Sequence, residues 1–266
     1  MCKGPIFELD RVCFDYPHGG QLFKGLELKI MSGEKIVLLG PNGSGKSTLL
    51  KLLCGLVLPS AGTLRAFGTE ITEQRLEDNR FAREYHQRVG FIFQNSEVQL
   101  FTTRVWDEIA FGPLQMGLDL ETVRERVEDV MRLLGIAHLQ DHSPYRLSGG
   151  EKKKVALASV LILNPEVLIL DEPTNGLDPK TQRWLVDLLL ALNHQGRTII
   201  TATHHLELAH VISERALVLS EGHNLVYDGP TAQVLQNREL LMEVNLIDAY
   251  YHVHDQERHV HYYIHG

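Results

Sequence analysis

The chain has 266 residues, 44% of them apolar and 23% charged, with a net charge of −8, which is globular rather than disordered composition with room for one sizeable core. The acidic balance argues against a nucleic-acid binder that works by neutralising phosphates, though not against a small anionic ligand at a local site. No apolar run reaches the ~20 residues that span a bilayer, and MCKGPIFELDR lacks the apolar segment of a signal peptide, so the chain is expected to stay in the cytoplasm and to meet a membrane only through a partner. Three cysteines, Cys2, Cys13 and Cys54, have no metal-ligand spacing and read as reduced thiols.

From Ile6 to Phe14 and from Leu26 to Ile30, apolar and polar residues partly alternate, as in half-buried strands. EKIVLLG, residues 34–40, reads as a fully buried strand ending in glycine. A helix is expected from about Lys46 to Cys54, and VGFIF closes another buried strand at Phe93. From about Thr102 to Leu163 the pattern turns mainly helical. In DLETVRERVEDVMRLLG, Val123, Val127, Val130, Met131 and Leu134 form one stripe with charges opposite. Core strands return at 166–170, 197–203 and 215–220, with a helix from about Pro179 to Asn193. Strands alternating with helices predict an α/β fold, a mainly parallel core sheet with a helical insertion. The expected organisation is one composite domain over 1–240, its helical part about 95–160, and a tail over 241–266.

Three motifs carry chemistry. GPNGSGKST (Gly40, Pro41, Asn42, Gly43, Ser44, Gly45, Lys46, Ser47 and Thr48) follows a buried strand and opens a helix, the context that the G-x-x-x-x-G-K-[ST] pattern requires. Its glycines let backbone N–H groups converge on phosphate oxygens at the positive end of a helix dipole. Lys46 supplies a charge for β- and γ-phosphates, and the Ser47 hydroxyl a ligand for Mg²⁺. VLILDEP, residues 167–173, brings Asp171 and Glu172 to a strand end, Asp171 for Mg²⁺ and Glu172 to deprotonate a water attacking the γ-phosphate. YRLSGGEKKK, residues 145–154, starts a helix with Ser148 and Glu151 at capping-box spacing. Gly149 and Gly150 between them leave amides uncovered, a second anion-binding helix tip.

With LSGGE at residues 147–151, the sequence resembles the ATP-binding-cassette ATPases over about residues 5–240, motif by motif and in family order. The resemblance implies the P-loop NTPase fold of that family, with an N-terminal antiparallel β lobe. It implies two subunits head to tail, a homodimer with two competent sites, each ATP clamped between the cradle of one copy and Ser148, Gly149 and Gly150 of the other. By the same resemblance Tyr16 stacks on adenine. Gln94 joins the Mg²⁺ shell to the helical insertion, Asp178 lies in the loop crossing between subunits, and His204 senses the γ-phosphate. Asp178 also reads as an N-cap with Pro179 at the first helical position. His205 departs from the family, where aspartate is common.

Such an ATPase can serve an importer, a translation or repair machine, or act alone as a hydrolase. Tandem cassettes and a long coiled coil, the marks of the second class, are missing from the sequence. QNSEVQLFTTRVWDEIAFGP, Gln94 to Pro113, is similar to energy-coupling-factor ATPases, which import vitamins or transition-metal ions. The resemblance places a groove for a transmembrane partner at Gln99, Leu100 and Phe101, and implies an integral-membrane coupling subunit and a substrate-binding membrane subunit at the cytoplasmic face. Val105, Ile109 and Phe111 read as core. Where the family has Pro-Asp-Asp-like residues, this chain has Ser96, Glu97 and Val98.

The last segment, YYHVHDQERHVHYY, is nearly palindromic. Folded about Asp255–Arg258 as a hairpin with a four-residue loop, it sets residue 252 against 261, 253 against 260 and 254 against 259. His252, His254, His259 and His261 then share one face, and neutral imidazoles suit Ni²⁺, Co²⁺, Cu²⁺ or Zn²⁺. The alternative is an edge hairpin docked by its tyrosine–valine face with solvated histidines. With the coupling-factor resemblance, the tail directs the expected cargo to cobalt or nickel.

Overall fold

The computed structural model describes residues 4–17, 20–254 and 257–264, with side chains up to Ile247. The chain divides into two compact units, one formed by residues up to Thr72 and from Thr198 onward, the other by Glu73–Arg197.

The first unit begins with β1 (Pro5–Tyr16) and β2 (Gly20–Met31), followed by β3 (Lys35–Leu39), α1 (Lys46–Leu53), β4 (Ala61–Ala66) and β5 (Thr69–Glu70). β2-β1-β4-β5 make an antiparallel sheet. Phe7 and Leu9 on β1, and Leu26, Leu28 and Ile30 on β2, are buried at alternate positions with charged neighbours outside. That alternation is what a sheet with one covered face requires.

The second unit runs through α2 (Glu73–Glu77), α3 (Asn79–Arg88), β6 (Val89–Ile92), α4 (Val105–Gln115), α5 (Leu120–Leu133), α6 (Gly149–Leu161), β7 (Val167–Asp171) and α7 (Pro179–His194). β6 and β7 pair in parallel, Ile92 opposite Leu170. The predicted stripe of α5 is buried at Val123, Val127, Val130 and Met131 and continues into buried Leu134. Asp119 caps α5 by accepting from the Thr122 N–H at 2.9 Å, and that bond with the Thr122 hydroxyl holds its carboxyl below the usual range.

The chain then returns to the first unit with β8 (Thr198–Ala202), α8 (Leu206–Ile212), β9 (Arg215–Leu219), β10 (Leu225–Pro230), α9 (Thr231–Gln236) and α10 (Arg238–Glu243). There β3 lies between β8 and β9, parallel to both, and β10 runs antiparallel to β9. Every residue of β8 is buried, as are four of five in β3 and β9. Strands covered on both faces read as continuous apolar runs, which is why they stand out in the sequence. The antiparallel N-terminal lobe, the mainly parallel sheet and the helical insertion are all present.

Several local expectations change. The sequence pattern is silent over 61–88, where β4, β5, α2 and α3 lie; α2 buries nothing and α3 only Tyr85. The tail boundary at 240/241 falls inside α10, and Leu241, Val244, Leu246 and Ile247 are buried with Val37 and Leu39 of β3. The terminal hairpin is β11 (Ile247–His254) with β12 (Glu257–Ile264), in a register that sets His252 opposite His259 rather than residue 261. Arg258 pairs with Val253, so the expected four-residue connection is too long. Alternation still assigns positions 252, 254, 259 and 261 to one face of the ribbon, while the side chains of those four histidines lie outside the described residues. Among the described residues, no helix is long and apolar enough to cross a membrane.

Candidate functional site

In the first unit, the segment Gly40–Thr48 leaves β3 and enters α1. Gly40, Gly43 and Gly45 hold φ of +149°, +82° and +103°, which L side chains rarely adopt. A Cβ on Gly40 would stand 2.5 Å from the Leu219 carbonyl oxygen and 2.7 Å from Ser44 Oγ, so this position requires glycine. Gly45 is the N-cap of α1 and gives it no side-chain cap, leaving first-turn amides for an external acceptor. Ser44 is 1% exposed, and its buried Oγ has no hydrogen-bond partner among the described residues. The Lys46 ammonium turns back into the loop, donating to the carbonyls of Gly40 at 2.7 Å and Pro41 at 3.0 Å. A buried hydroxyl, an inward lysine and uncapped amides form a cradle that fits a phosphate chain.

Two further predicted residues converge on this loop. Tyr16, at the end of β1, hydrogen-bonds through its hydroxyl with Thr48 Oγ1 at 2.8 Å, and its ring stays partly exposed, edge-on to Phe14 at 4.9 Å. β8 pairs with β3, and the Thr203 N–H donates to the Leu38 carbonyl at 3.2 Å. His204 therefore leaves its strand beside the entrance of the loop. Its ring lies 4.2 Å from that of His205.

The second unit carries the carboxylates. Asp171 ends β7 and Glu172 follows at φ +43°, both buried. Gln94 leaves β6 at the same level, two residues beyond Ile92, which faces Leu170. Lys153, which the motifs do not single out, approaches this corner from α6: 2% exposed, it donates to the carbonyls of Phe93 and Gln94 at 3.3 Å each. Burial pulls its pKa down to about 8, while the nearby Asp171 carboxylate acts in the opposite direction.

At the tip of α6 the capping box is complete. Glu151 N–H donates to Ser148 Oγ at 3.4 Å, and Glu151 Oε2 accepts from the Ser148 N–H at 2.9 Å and hydroxyl at 2.7 Å. The Ser148 hydroxyl and amide hold the Glu151 carboxyl below its ordinary range. Above Gly149 there is open space, and a Cβ on Gly150 would lie 3.3 Å from Thr181 Oγ1. That threonine donates to Asp178 at 2.6 Å, while Asp178 caps α7 through the Lys180 and Thr181 amides, with Pro179 at the first position. The tips of α6 and α7 are thus neighbours, and Ser148, Gly149, Gly150 and Asp178 come together.

The stretch after Gln94 differs from the expected groove. The Gln99 side chain turns inward, its amide donating to Phe91 O at 3.2 Å, and Leu100 is buried. Phe101 is exposed. Val105 and Ile109 are core, but Phe111 is 44% exposed and edge-on to Phe101 at 4.9 Å. Buried Glu108 accepts from the amides of Phe101 at 3.0 Å and Thr102 at 2.8 Å, so the aromatic pair stands on a pinned backbone.

Residues 23–175 match the family model described as ABC transporter. The chain is 47% identical to the nickel import ATP-binding protein NikO of Rhodobacter capsulatus, covering 92% of this chain and 97% of that one. Among solved structures, it is similar to CbiO1 from Clostridium perfringens, part of the ABC transporter complex CbiONQ. That match has 34% identity and a TM-score of 0.78 over 91% of this chain and 95% of that one. It is also similar to a dimeric ATP-binding cassette in a post-hydrolysis state with ADP and Pi, at 27% identity and a TM-score of 0.76, over 85% and 98% of the two chains.

Proposed function

Because the chain belongs to the ATP-binding subunits of ABC transporters, ATPases that couple hydrolysis to transport, we propose that it powers an energy-coupling-factor type importer of nickel or cobalt ions. The observation that carries the nucleotide chemistry is the cradle itself, with the buried Ser44 hydroxyl and the Lys46 ammonium turned into the loop beside uncapped helix amides. The metal cargo is supported by the likeness to a nickel import protein.

In this reading two copies close on ATP, the loop Gly40–Thr48 of one facing Ser148, Gly149 and Gly150 of the other; the likeness to a dimeric cassette supports it. Lys46 and the loop amides bind the β- and γ-phosphates, and Tyr16 stacks on adenine. Ser47, Gln94 and Asp171 are the residues that would hold Mg²⁺, which would supply neutralisation of phosphate charge. Glu172 takes the proton of the attacking water, and its low exposure keeps that carboxylate out of bulk solvent. His204 donates to a γ-phosphate oxygen, and Asp178 lies at the crossing between copies. The exposed Phe101–Phe111 pair, pinned by Glu108, suits a docking face for an integral-membrane coupling subunit. Docking there would hold the protein at the cytoplasmic face of the membrane, beside the subunit that binds the ion.

Glu172→Gln tests the assignment. The variant is expected to keep ATP binding, to lower phosphate release by about 10²–10⁴-fold, and to accumulate as a dimer in ATP by sedimentation. Undiminished turnover would refute Glu172 as the base. Absence of turnover in the parent, even with its membrane subunits, would refute the reading as a whole.

A further inference from the structure

The turn between β9 and β10, Ser220–Asn224, belongs to none of the nucleotide motifs, yet it touches the middle of the phosphate loop, and the residue before it lies against the loop's start. His223 holds φ +61°, a left-handed conformation that a residue with a side chain keeps only where its surroundings impose it. Its Nδ1 lies 3.2 Å from the carbonyl oxygen of Ser44. A carbonyl only accepts, so this is the Nδ1–H tautomer donating. At the start of the loop, the Leu219 carbonyl oxygen, just before the turn, sits 2.5 Å from where a Cβ on Gly40 would be. The turn is closed on itself by Ser220 N–H to Asn224 O and His223 N–H to Ser220 O, each 3.0 Å.

On its outer side the turn is tethered. Glu221 accepts from Asn245 Nδ2 at 2.7 Å, and Asn245 also holds a left-handed φ of +55°. Asn245 stands between Val244 and Leu246, both buried in one cluster with Leu39 of β3 and Val218 of β9. The strand that delivers the phosphate loop, the strand that delivers the turn and the segment leading into the C-terminal ribbon therefore share a core.

We propose that this turn braces the phosphate loop, with His223 as a positioning residue, and that Glu221 ties the brace to the root of the C-terminal ribbon, so that moving the root weakens ATP binding. The inference rests on the reading of Gly40–Thr48 as an ATP cradle. Peptide planarity gives the brace its reach: fixing the Ser44 carbonyl toward His223 fixes the following Gly45 N–H in the opposite direction. An amide held in direction before ligand arrives lowers the ordering cost of binding.

The full chain and MgATP, measured by equilibrium binding, provide the test. His223→Gly removes the ring but suits the left-handed backbone, whereas His223→Asn tolerates that backbone and keeps a donor. His223→Gly is expected to raise the Kd for ATP about fivefold, the scale of one hydrogen bond, with Tm unchanged or higher. His223→Asn should stay within about twofold of the parent, and Asn245→Ala should raise Kd by about twofold. Parent-like affinity in His223→Gly, or equal loss in His223→Gly and His223→Asn, overturns the brace. Parent-like affinity in Asn245→Ala overturns the tie to the ribbon root. A parent that binds no ATP would sink the cradle reading instead, whatever the variants do.

Discussion

Three consecutive lysines on α6 meet three different fates. Lys152 reaches Glu97 at 2.6 Å, Lys154 lies over the Trp184 ring at 4.6 Å, and Lys153 is buried against the Phe93 and Gln94 carbonyls. A basic run normally signals a solvated face, which conceals the middle member. Spacing does not separate it from its neighbours, since Val155, Ala156, Leu157 and Ala158 are all buried and each of the three lysines precedes two of them by three and four residues. Lys46, Asp171 and Glu172 were legible because their residue types and spacing are the chemistry; the left-handed backbone of Glu172 was not, since no neighbouring residue announces it. Burial of Lys153 has a pH signature. Below about 8 the side chain is charged in folded and unfolded chains alike, and the burial penalty is fully present. Between about 8 and the ordinary lysine value of 10.5 the unfolded chain holds a proton that the folded chain lacks, so stability rises with pH. From about pH 7.5 to about pH 9.5, denaturant unfolding of the parent should gain on the order of 1–2 kcal/mol relative to Lys153→Met. Identical pH slopes for the two would show that Lys153 does not titrate as a buried group.

At the level of elements, legibility followed burial. β3, β7, β8 and β9 are mostly apolar, with polar residues chiefly at their ends, because both faces are covered, and the stripe of α5 is regular because only one face is. The stretch from β4 to α3 offered no such contrast. Nor did the sequence disclose the irregularity in β1, where pairing with β2 shifts between Leu9 and Val12 and pairing with β4 shifts between Asp10 and Cys13. The shift centres on Arg11, at φ +46°, and a Cβ on Gly62 of β4 would stand 2.2 Å from its carbonyl oxygen. Such a bulge bends the strand and brings two backbones closer than a side chain allows. Gly62 is itself at φ +81°. Gly62→Ala therefore adds left-handed strain to a backbone clash, for an expected loss of about 2–4 kcal/mol in chemical denaturation. Gly68→Ala, also at positive φ but with nothing within 4 Å of its Cβ, carries the strain alone and should lose only about 1–2 kcal/mol. Equal losses would mean that β1 moves to make room.

Across the whole chain, the motifs were readable because each coincides with the end of a strand or the start of a helix, where composition changes abruptly. The C-terminal boundary was not, because LLMEVNLI interleaves apolar with polar residues in a helix-to-strand transition that belongs to neither period. Its buried members, Leu241, Val244, Leu246 and Ile247, complete the core beneath β3 and β9. Four such side chains contribute about 1.5–3 kcal/mol each when fully buried, comparable with the 5–15 kcal/mol that holds a typical domain together. A chain ending at Leu240 is therefore expected to be insoluble or unfolded by circular dichroism. A chain ending at Ile247 keeps those side chains and the Glu221–Asn245 tether, and should retain Tm within a few degrees and parent-like ATP turnover. The same shortened chain separates the ribbon's role from the core's: if positions 252, 254, 259 and 261 bind a transition-metal ion, calorimetric titration with Ni²⁺ or Co²⁺ should show a site in the full chain that this one lacks. Equal weak binding by both would reduce the ribbon to an edge hairpin with solvated histidines, and a folded, active chain ending at Leu240 would show that the core does not need residues 241–247.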